Sequence, residues 1–373
     1  MKKSTLLAIL VIVFAVGAGV LGWLYANKHT AEKASVEDIT AKWAASAHGD
    51  VKAEVFHHWD DSDDKTITPG CAKCHSENGL KDYLGLDGSA ALSVEGPVYP
   101  GGTIGCGACH NTYFAANTSV VFPSGVSLEA DKGSQSCWTC HQGTTAGING
   151  QLAQKTEGVG DDEAKEGLSF VNPHYLGVAS IYMGSEANGG YQYPGKTYAG
   201  KYDHEKGVQT CTECHDTHSL HMAEPGYTKC AQCHENVTKW PDQRTIRKTT
   251  ADYDGDGNVK ESMYDEIDHL QKKLVSDMQI YAKDIAGGPL GATDKYPYWF
   301  DDANENGTQD EGEKNYAHWT PKLMRAAFNY KFVLSSKGYI HNPPYAAQLL
   351  IDSISDLAAS DTAVSAEGLV RPE

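Results

Sequence analysis

The sequence is poor in basic residues: 31 lysines and arginines stand against 49 aspartates and glutamates, which gives a formal net charge of −18 at pH 7. Nucleic-acid phosphates bind basic surfaces, so this balance argues against a nucleic-acid-binding protein. It argues equally against docking on anionic lipid. An acidic surface instead keeps a protein soluble or steers basic partners towards it.

Long apolar runs are also scarce, and the longest lies at the N-terminus. Lys2 and Lys3 precede an apolar stretch from Leu6 to Tyr25. That length is near the ~20 residues of a membrane-spanning helix, and it exceeds the usual apolar core of a cleaved signal. We predict a membrane anchor over residues 1–26, with a cleaved signal peptide as the alternative. In either case the rest of the chain is expected outside the cytoplasmic membrane, in the periplasm or the extracellular space.

No cysteine lies before residue 71, and none is left over from one repeated pattern. The first absence excludes a lipid-attachment cysteine near the N-terminus. The second concerns all 10 cysteines, which form five Cys-x-x-Cys-His motifs. The motifs are Cys71-Ala-Lys-Cys74-His75, Cys106-Gly-Ala-Cys109-His110, Cys137-Trp-Thr-Cys140-His141, Cys211-Thr-Glu-Cys214-His215 and Cys230-Ala-Gln-Cys233-His234.

Each motif has the spacing that attaches one c-type haem. Two thiols reach the two vinyl groups of one porphyrin, and the imidazole that follows becomes the proximal ligand of the iron. A disulfide framework does not need a histidine after every second cysteine. A structural zinc site usually combines two Cys-x-x-Cys units, and five units would leave one without a partner. The sequence therefore predicts five covalently bound haems c, whose proximal ligands are His75, His110, His141, His215 and His234.

The far face of each iron decides between electron transfer and catalysis, because a second protein ligand closes the iron to substrates. Sixteen histidines less the five proximal ones leave eleven. Six of these stand in settings that favour distal ligation: His48, His58, His174, His204, His218 and His341. His218 is too near the proximal His215 to reach the same iron, so we expect it to serve a neighbouring haem. The weaker candidates are His57, His221, His269 and His318.

The supply of histidines favours an electron-transfer cytochrome with mostly bis-histidine haems, and therefore no catalytic residues. One alternative is an enzyme that reduces nitrite, hydroxylamine or a sulfur oxyanion at one open haem. Another is a subunit of an extracellular cytochrome filament, in which the surplus histidine ligates a haem of the next subunit. The expected partners are other redox proteins or quinol-linked membrane complexes, and a homo-oligomer is a further expectation.

The motifs end before residue 240, which divides the chain. We predict a pentahaem domain over residues 27–240 and a C-terminal helical domain over residues 241–373. The expected fold class is mainly α with extensive loops, a haem-packed core, C-terminal helices and an N-terminal transmembrane helix. Four tyrosines between the third and fourth motifs should either pack on porphyrins or belong to a β-hairpin: Tyr182, Tyr191, Tyr193 and Tyr198.

Three helices are predicted in the C-terminal domain. Apolar residues recur at helical spacing from Met263 to Ile285. Thr320 and Asn342 are N-cap residues, each followed by a proline at the first helical position, and they open the second and third helices.

Two acidic loops flank the first of these helices. One matches the EF-hand calcium loop through Asp302, Asn304, Asn306, Asp310 and Glu313, with the carbonyl oxygen of Thr308 as a further ligand. The other begins equally well with Asp252, Asp254, Asp256 and Asn258. Met263 then occupies its twelfth position, where Asp265 or Glu266 is the expected substitute. Both loops predict a structural Ca²⁺, and the alternative is a solvated polar loop.

Several stretches also carry a resemblance to known proteins: Ser46–His48, His58–Asp60, Cys71–Ser76, Val120–Gly125, Cys214–His218, Ala326–Tyr330 and Gln348–Ser353. In them the chain resembles a group of membrane-associated polyhaem cytochromes of anaerobic prokaryotes. The last helices and residues 338–343 are more distantly similar to pentahaem nitrite reductases and their hydroxylamine-oxidising relatives. In many of those reductases a lysine replaces the proximal histidine of the active haem, and no motif here has that lysine.

Overall fold

The computed structural model describes residues 35–100, 102–131, 133–204, 208–222, 224–239 and 241–373. The anchor predicted over residues 1–26 lies outside these ranges. Within them, no helix combines the length and the apolar character that a membrane crossing requires. Helices and loops predominate and only two short strand pairs occur in the described chain, which confirms the mainly helical class.

Up to residue 245 the described helices are short. They are α1 (Val36–Ala44), α2 (Glu54–His57), α3 (Pro69–His75), α4 (Glu77–Tyr83), α5 (Cys106–Cys109), α6 (Thr112–Ala116), α7 (Gln135–Cys140), α8 (Gln151–Thr156), α9 (Val178–Met183), α10 (Cys211–Cys214) and α11 (Glu224–Ala231). Strands β1 (Ser119–Val121) and β2 (Ser127–Glu129) pair in antiparallel register, with Val120 opposite Leu128. Short 3-10 turns cover Gly184–Glu186 and Asp242–Thr245.

The C-terminal part holds the long helices. Its elements are α12 (Met263–Tyr281), which continues as a π-helix (Ala282–Ala286), the antiparallel strands β3 (Leu290–Ala292) and β4 (Trp299–Asp301), α13 (Pro321–Ser335), α14 (Gly338–His341) and α15 (Pro343–Ala358). The hydroxyl of Thr320 accepts a hydrogen bond from the Leu323 amide, and the side chain of Asn342 accepts one from Tyr345. Both N-caps thus satisfy amides that the first helical turn leaves unpaired, as the sequence predicts.

The apolar core lies among α12, α13 and α15. Leu274, Phe328 and Leu350 have no exposed surface and belong to one continuous apolar cluster. The haem-motif region has only small clusters, such as those around Trp138 and Leu80. Among the described residues the one substantial apolar core is therefore centred on the C-terminal helices, and Leu152, Val171 and Ile181 from the segment between the third and fourth motifs pack into it.

The tyrosine-rich segment forms no strand in its described residues, so the β-hairpin alternative is wrong. Its side chains instead contact the C-terminal helices. The hydroxyl of Tyr193 donates to Ser353, and Lys196 forms an ion pair with Asp352 at 2.6 Å. These contacts join the segment to α15. The ion pair also gives the buried carboxylate of Asp352 the cationic partner that a buried charge requires.

Candidate haem-binding site

Each haem-attachment motif folds around one turn of helix. In four motifs the amide of the histidine donates to the carbonyl oxygen of the first cysteine, at 2.8–2.9 Å. The first motif lies entirely within α3. Residues three apart on a helix lie on one side of it. Both sulfur atoms of a motif therefore face the same way, as attachment to one porphyrin edge requires.

Four proximal histidines face a second histidine across a narrow gap. The ring centres are 5.9 Å apart for His48 and His141, 6.0 Å for His75 and His174, 6.2 Å for His110 and His218, and 6.4 Å for His204 and His234. Metal–imidazole bonds are about 2 Å long and the ring centre lies about 1 Å further, so two imidazoles on one metal stand about 6 Å apart. The observed gaps have the width that one iron atom between two imidazoles requires.

His215 is the remaining proximal histidine and His341 the remaining partly buried distal candidate. The charge of His215 contributes to the low pKa of His341, about 4, although burial is the larger cause. The charges of both residues also act on His141. His215 Nδ1 lies 3.0 Å from the carbonyl oxygen of Leu220, and His341 Nδ1 lies 2.8 Å from that of Ser336. When Nδ1 is the protonated nitrogen, Nε2 is left for a metal ion.

Partial burial favours the neutral form of several histidines in this site. Burial lowers the pKa of His48, His75, His174 and His234, and it lowers the pKa of His141 to about 4. Iron accepts the lone pair of a neutral imidazole. The environment of these five histidines therefore suits them to bind haem iron.

His58 is the sixth distal candidate. Its charge acts on His75, so it lies near the first motif, but among the described residues its ring packs on Trp59 rather than directly against a proximal histidine. His58 is exposed, and its ring centre lies 5.0 Å from that of Trp59. The ring centre of Trp59 lies 5.2 Å from that of His75. His75 already faces His174. Of the weaker candidates, His57 has both ring nitrogens hydrogen bonded, to Asp60 and to a backbone carbonyl oxygen.

The third motif lies between the first and the fourth. The sulfur of Cys74 is 3.8 Å from the carbonyl oxygen of Cys140, and the thiols of Cys137 and Cys211 shift each other's pKa. In a haem-loaded protein these thiols would hold haem as thioethers.

The second and fifth motifs join the same arrangement. The charge of Cys109 acts on both Cys137 and Cys140, and the charge of Cys230 acts on Cys214. These interactions indicate that the second motif lies near the third, and the fifth near the fourth.

The loop predicted to bind calcium after β4 is organised by its own side chains. Asp302 accepts hydrogen bonds from the amides of Asn306 and Gly307, at 3.0 and 2.9 Å. Asp310 accepts from the side-chain amides of Asn304 and Asn306, each at 2.8 Å. The loop therefore gathers its side-chain oxygens on its inner side.

The loop before α12 gathers more carboxylates than the sequence pattern indicates. Oxygens of Asp252, Asp254 and Glu266 lie within 4.8 Å of one another, so Glu266, one of the two expected substitutes for Met263, lies beside the carboxylates of the loop. A second group contains Asp254 and Asp256 with two residues that the calcium pattern did not include, Glu261 and His269. His269 lies three residues after Glu266 on α12, and that spacing was the available signal.

Comparisons with known proteins agree with the haem motifs. No family model and no solved structure matches the chain. The C-type polyheme cytochrome OmcB of Geobacter sulfurreducens is 24% identical over 406 residues, covering 89% of this chain and 50% of that protein. OmcC of the same organism is 23% identical over 392 residues, covering 86% and 46%. The chain thus spans about half the length of these curated relatives, and its distant homologues support a polyhaem c-type cytochrome.

Proposed function

We propose that this chain is a pentahaem c-type cytochrome that transfers electrons outside the cytoplasmic membrane. Each iron is held between two histidines of the chain: His75 with His174, His110 with His218, His141 with His48, His215 with His341, and His234 with His204. The ring-centre distances of 5.9–6.4 Å in four of these pairs are the observation that carries the proposal.

We number the haems I to V in the order of their motifs. The contacts between cysteines support a branched path in which haems I and II adjoin haem III, followed by haems IV and V. His141 of haem III is partly buried, and burial lowers its pKa to about 4. Haem III is therefore a junction for electrons rather than a site that meets a partner.

Haem I is the favoured place for exchange with a partner protein. Trp59 lies between the exposed His58 and the haem ligand His75. Exposed carboxylates follow it in the chain, at Asp60, Asp61, Asp63 and Asp64. Such an acidic rim attracts a basic redox protein and speeds its association at low ionic strength. A quinol-linked membrane complex remains the expected class of donor.

The pairing favours electron transfer over the two alternatives. A nitrite, hydroxylamine or sulfur-oxyanion reductase needs an open iron, and five internal pairs leave none. A filament whose subunits exchange His58 needs a haem that lacks a distal ligand within its own chain. We retain the anchor over residues 1–26 and a structural Ca²⁺ in the loop that begins at Asp302 as parts of the proposal.

Electron paramagnetic resonance of the ferric protein tests the ligation. We expect only low-spin signals, and an intact mass that corresponds to five attached haems. A high-spin signal in the untreated protein would contradict the closed set of haems and favour the reductase. A mass with fewer haems would contradict the pentahaem assignment itself.

A further inference from the structure

A histidine lies inside the acidic loop that precedes α12. One ligand atom each from Asp254, Asp256, Glu261 and His269 can be chosen so that all four lie within 4.8 Å of one another. His269 Nδ1 is 2.7 Å from Asp254 Oδ2 and 3.5 Å from Glu261 Oε1. Ligands about 2.0–2.2 Å from one ion stand at most about 4.4 Å apart, so a shift of a few tenths of an ångström lets them share an ion.

Two of these carboxylates are buried, and one has an oxygen without a hydrogen-bond donor. The side chains of Asp254 and Glu261 are only 6% and 8% exposed. Oε1 of Glu261 is inaccessible to solvent and accepts no hydrogen bond, although Oε2 accepts one from Asn258. A buried carboxylate oxygen without a donor is costly. Because Oε1 points at His269 and Asp254, a cation bound there would remove that cost.

The positive charges nearby do not balance this group. Arg247 pairs at 2.6 Å with the buried Glu266, and its other guanidinium nitrogens donate to backbone carbonyl oxygens. Lys272, whose charge acts on His269, pairs with Asp268 at 2.6 Å. A protonated His269 offsets one charge among Asp254, Asp256 and Glu261. The remaining excess of negative charge is what a divalent ion neutralises.

The donor atoms select the class of ion. Ca²⁺ takes oxygen ligands, whereas an imidazole suits zinc and the other late first-row metals. We propose that Asp254, Asp256, Glu261 and His269 bind a divalent transition-metal ion of the Zn²⁺ type. This site shares Asp254 and Asp256 with the predicted calcium loop, so one ion or the other fills it, and the imidazole decides between them.

The metal would connect two elements of the C-terminal part. Asp254, Asp256 and Glu261 come from the loop, and His269 comes from the second turn of α12. The loop also carries the carbonyl oxygen of Glu261, to which Arg247 donates at 2.8 Å. An ion here therefore holds α12 against the segment that leads from the last haem motif.

Zinc titration of the full haem-loaded protein tests the site. The protein is stripped with a chelator, which leaves covalent haem in place, and titrated calorimetrically with Zn²⁺ in the presence of 1 mM Ca²⁺ (about the concentration that fills weak extracellular calcium sites). We expect one zinc ion per chain. His269→Gln should weaken its binding at least tenfold, and Glu261→Gln should weaken it similarly. His318→Gln, which changes a histidine outside the group, should bind zinc as the unaltered protein does.

The outcome is readable even if one variant folds poorly. The haem absorption spectrum reports folding independently of zinc, and Glu261→Gln keeps the shape of the side chain. X-ray absorption at the zinc edge should show mixed nitrogen and oxygen ligands, separate from the iron edge. Equal zinc binding by His269→Gln and His318→Gln would overturn the proposal. So would calcium that displaces all the zinc, which would assign the loop to calcium.

Discussion

The haem-motif region and the C-terminal helices are built on different physical principles. The first region consists of helices of nine residues or fewer among its described residues, joined by loops, with small apolar clusters. The second has helices of 15 to 19 residues around one continuous core. Short helices are marginal without tertiary packing. We therefore expect the first region to depend on contacts with its haems for stability, whereas the second region is stabilised by its own apolar core.

Loss of haem should separate the two regions most clearly. We expect the full chain, produced without haem attachment, to lose backbone protection over residues 35–141 and 208–245. It should keep protection in α12, α13 and α15, onto which the segment from Leu152 to Ala199 packs. Hydrogen exchange followed by mass spectrometry measures this segment by segment. Equal protection in both regions, or none in either, would contradict the division.

A cavity in the C-terminal core should be costly without affecting the haems. Phe328 is fully buried among the long helices. Phe328→Ala should lower the free energy of unfolding by about 3–5 kcal/mol, measured by denaturant titration. The haem spectrum below the transition should remain unchanged. Phe114→Ala, in a small cluster of the haem-motif region, is the matched control. It should lower the free energy of unfolding by less, because contacts with haem contribute more of the stability of that region.

Two histidines near haem I should behave differently when removed. His174→Ala should open one iron and add a high-spin ferric signal, since His174 faces His75 at 6.0 Å. His58→Ala should leave all signals low-spin, because Trp59 lies between His58 and His75. The opposite pattern in paramagnetic resonance would make His58 the ligand and remove His174 from the proposed set.

The smallest effect is expected at the turn that carries His218. The carboxylate of Asp216 accepts hydrogen bonds from the amides of His218 and Ser219 and pairs with Lys42 at 2.9 Å. Burial alone would raise the pKa of Asp216, but the bonds from Ser219 and Lys42 hold it well below its usual range. Asp216→Asn should cost about 1 kcal/mol at neutral pH.

The difference in stability between the unaltered protein and Asp216→Asn should depend on pH, because the pKa of Asp216 is lowered in the folded protein. A carboxylate with a depressed folded pKa stabilises the protein above its unfolded pKa of about 3.9, and this stability is lost as the pH falls towards the folded value. Unfolding titrations of the two proteins should therefore converge below about pH 4. A difference that persists undiminished in acid would assign the effect to packing rather than to charge.

Much of the local structure could be predicted from the sequence. Thr320 and Asn342 cap their helices as expected, because a cap needs only its own side chain and an amide three residues on. The tyrosine segment could not be predicted in the same way. Whether Tyr193 belongs to a hairpin or packs on α15 depends on a surface that is distant in the chain.

The sequence by itself predicted which side chains would attach haem, since the two cysteines and the histidine of a motif lie within one helical turn. It also supplied the candidate distal histidines. Only the tertiary structure decided that His48 faces His141 and that His58 packs on Trp59, and only it placed Glu261 and His269 beside Asp254. Such contacts depend on how loops bring remote residues together. The spacing of residues along the chain specifies their relative positions within one helical turn. It does not specify the relative positions of segments that are distant in sequence.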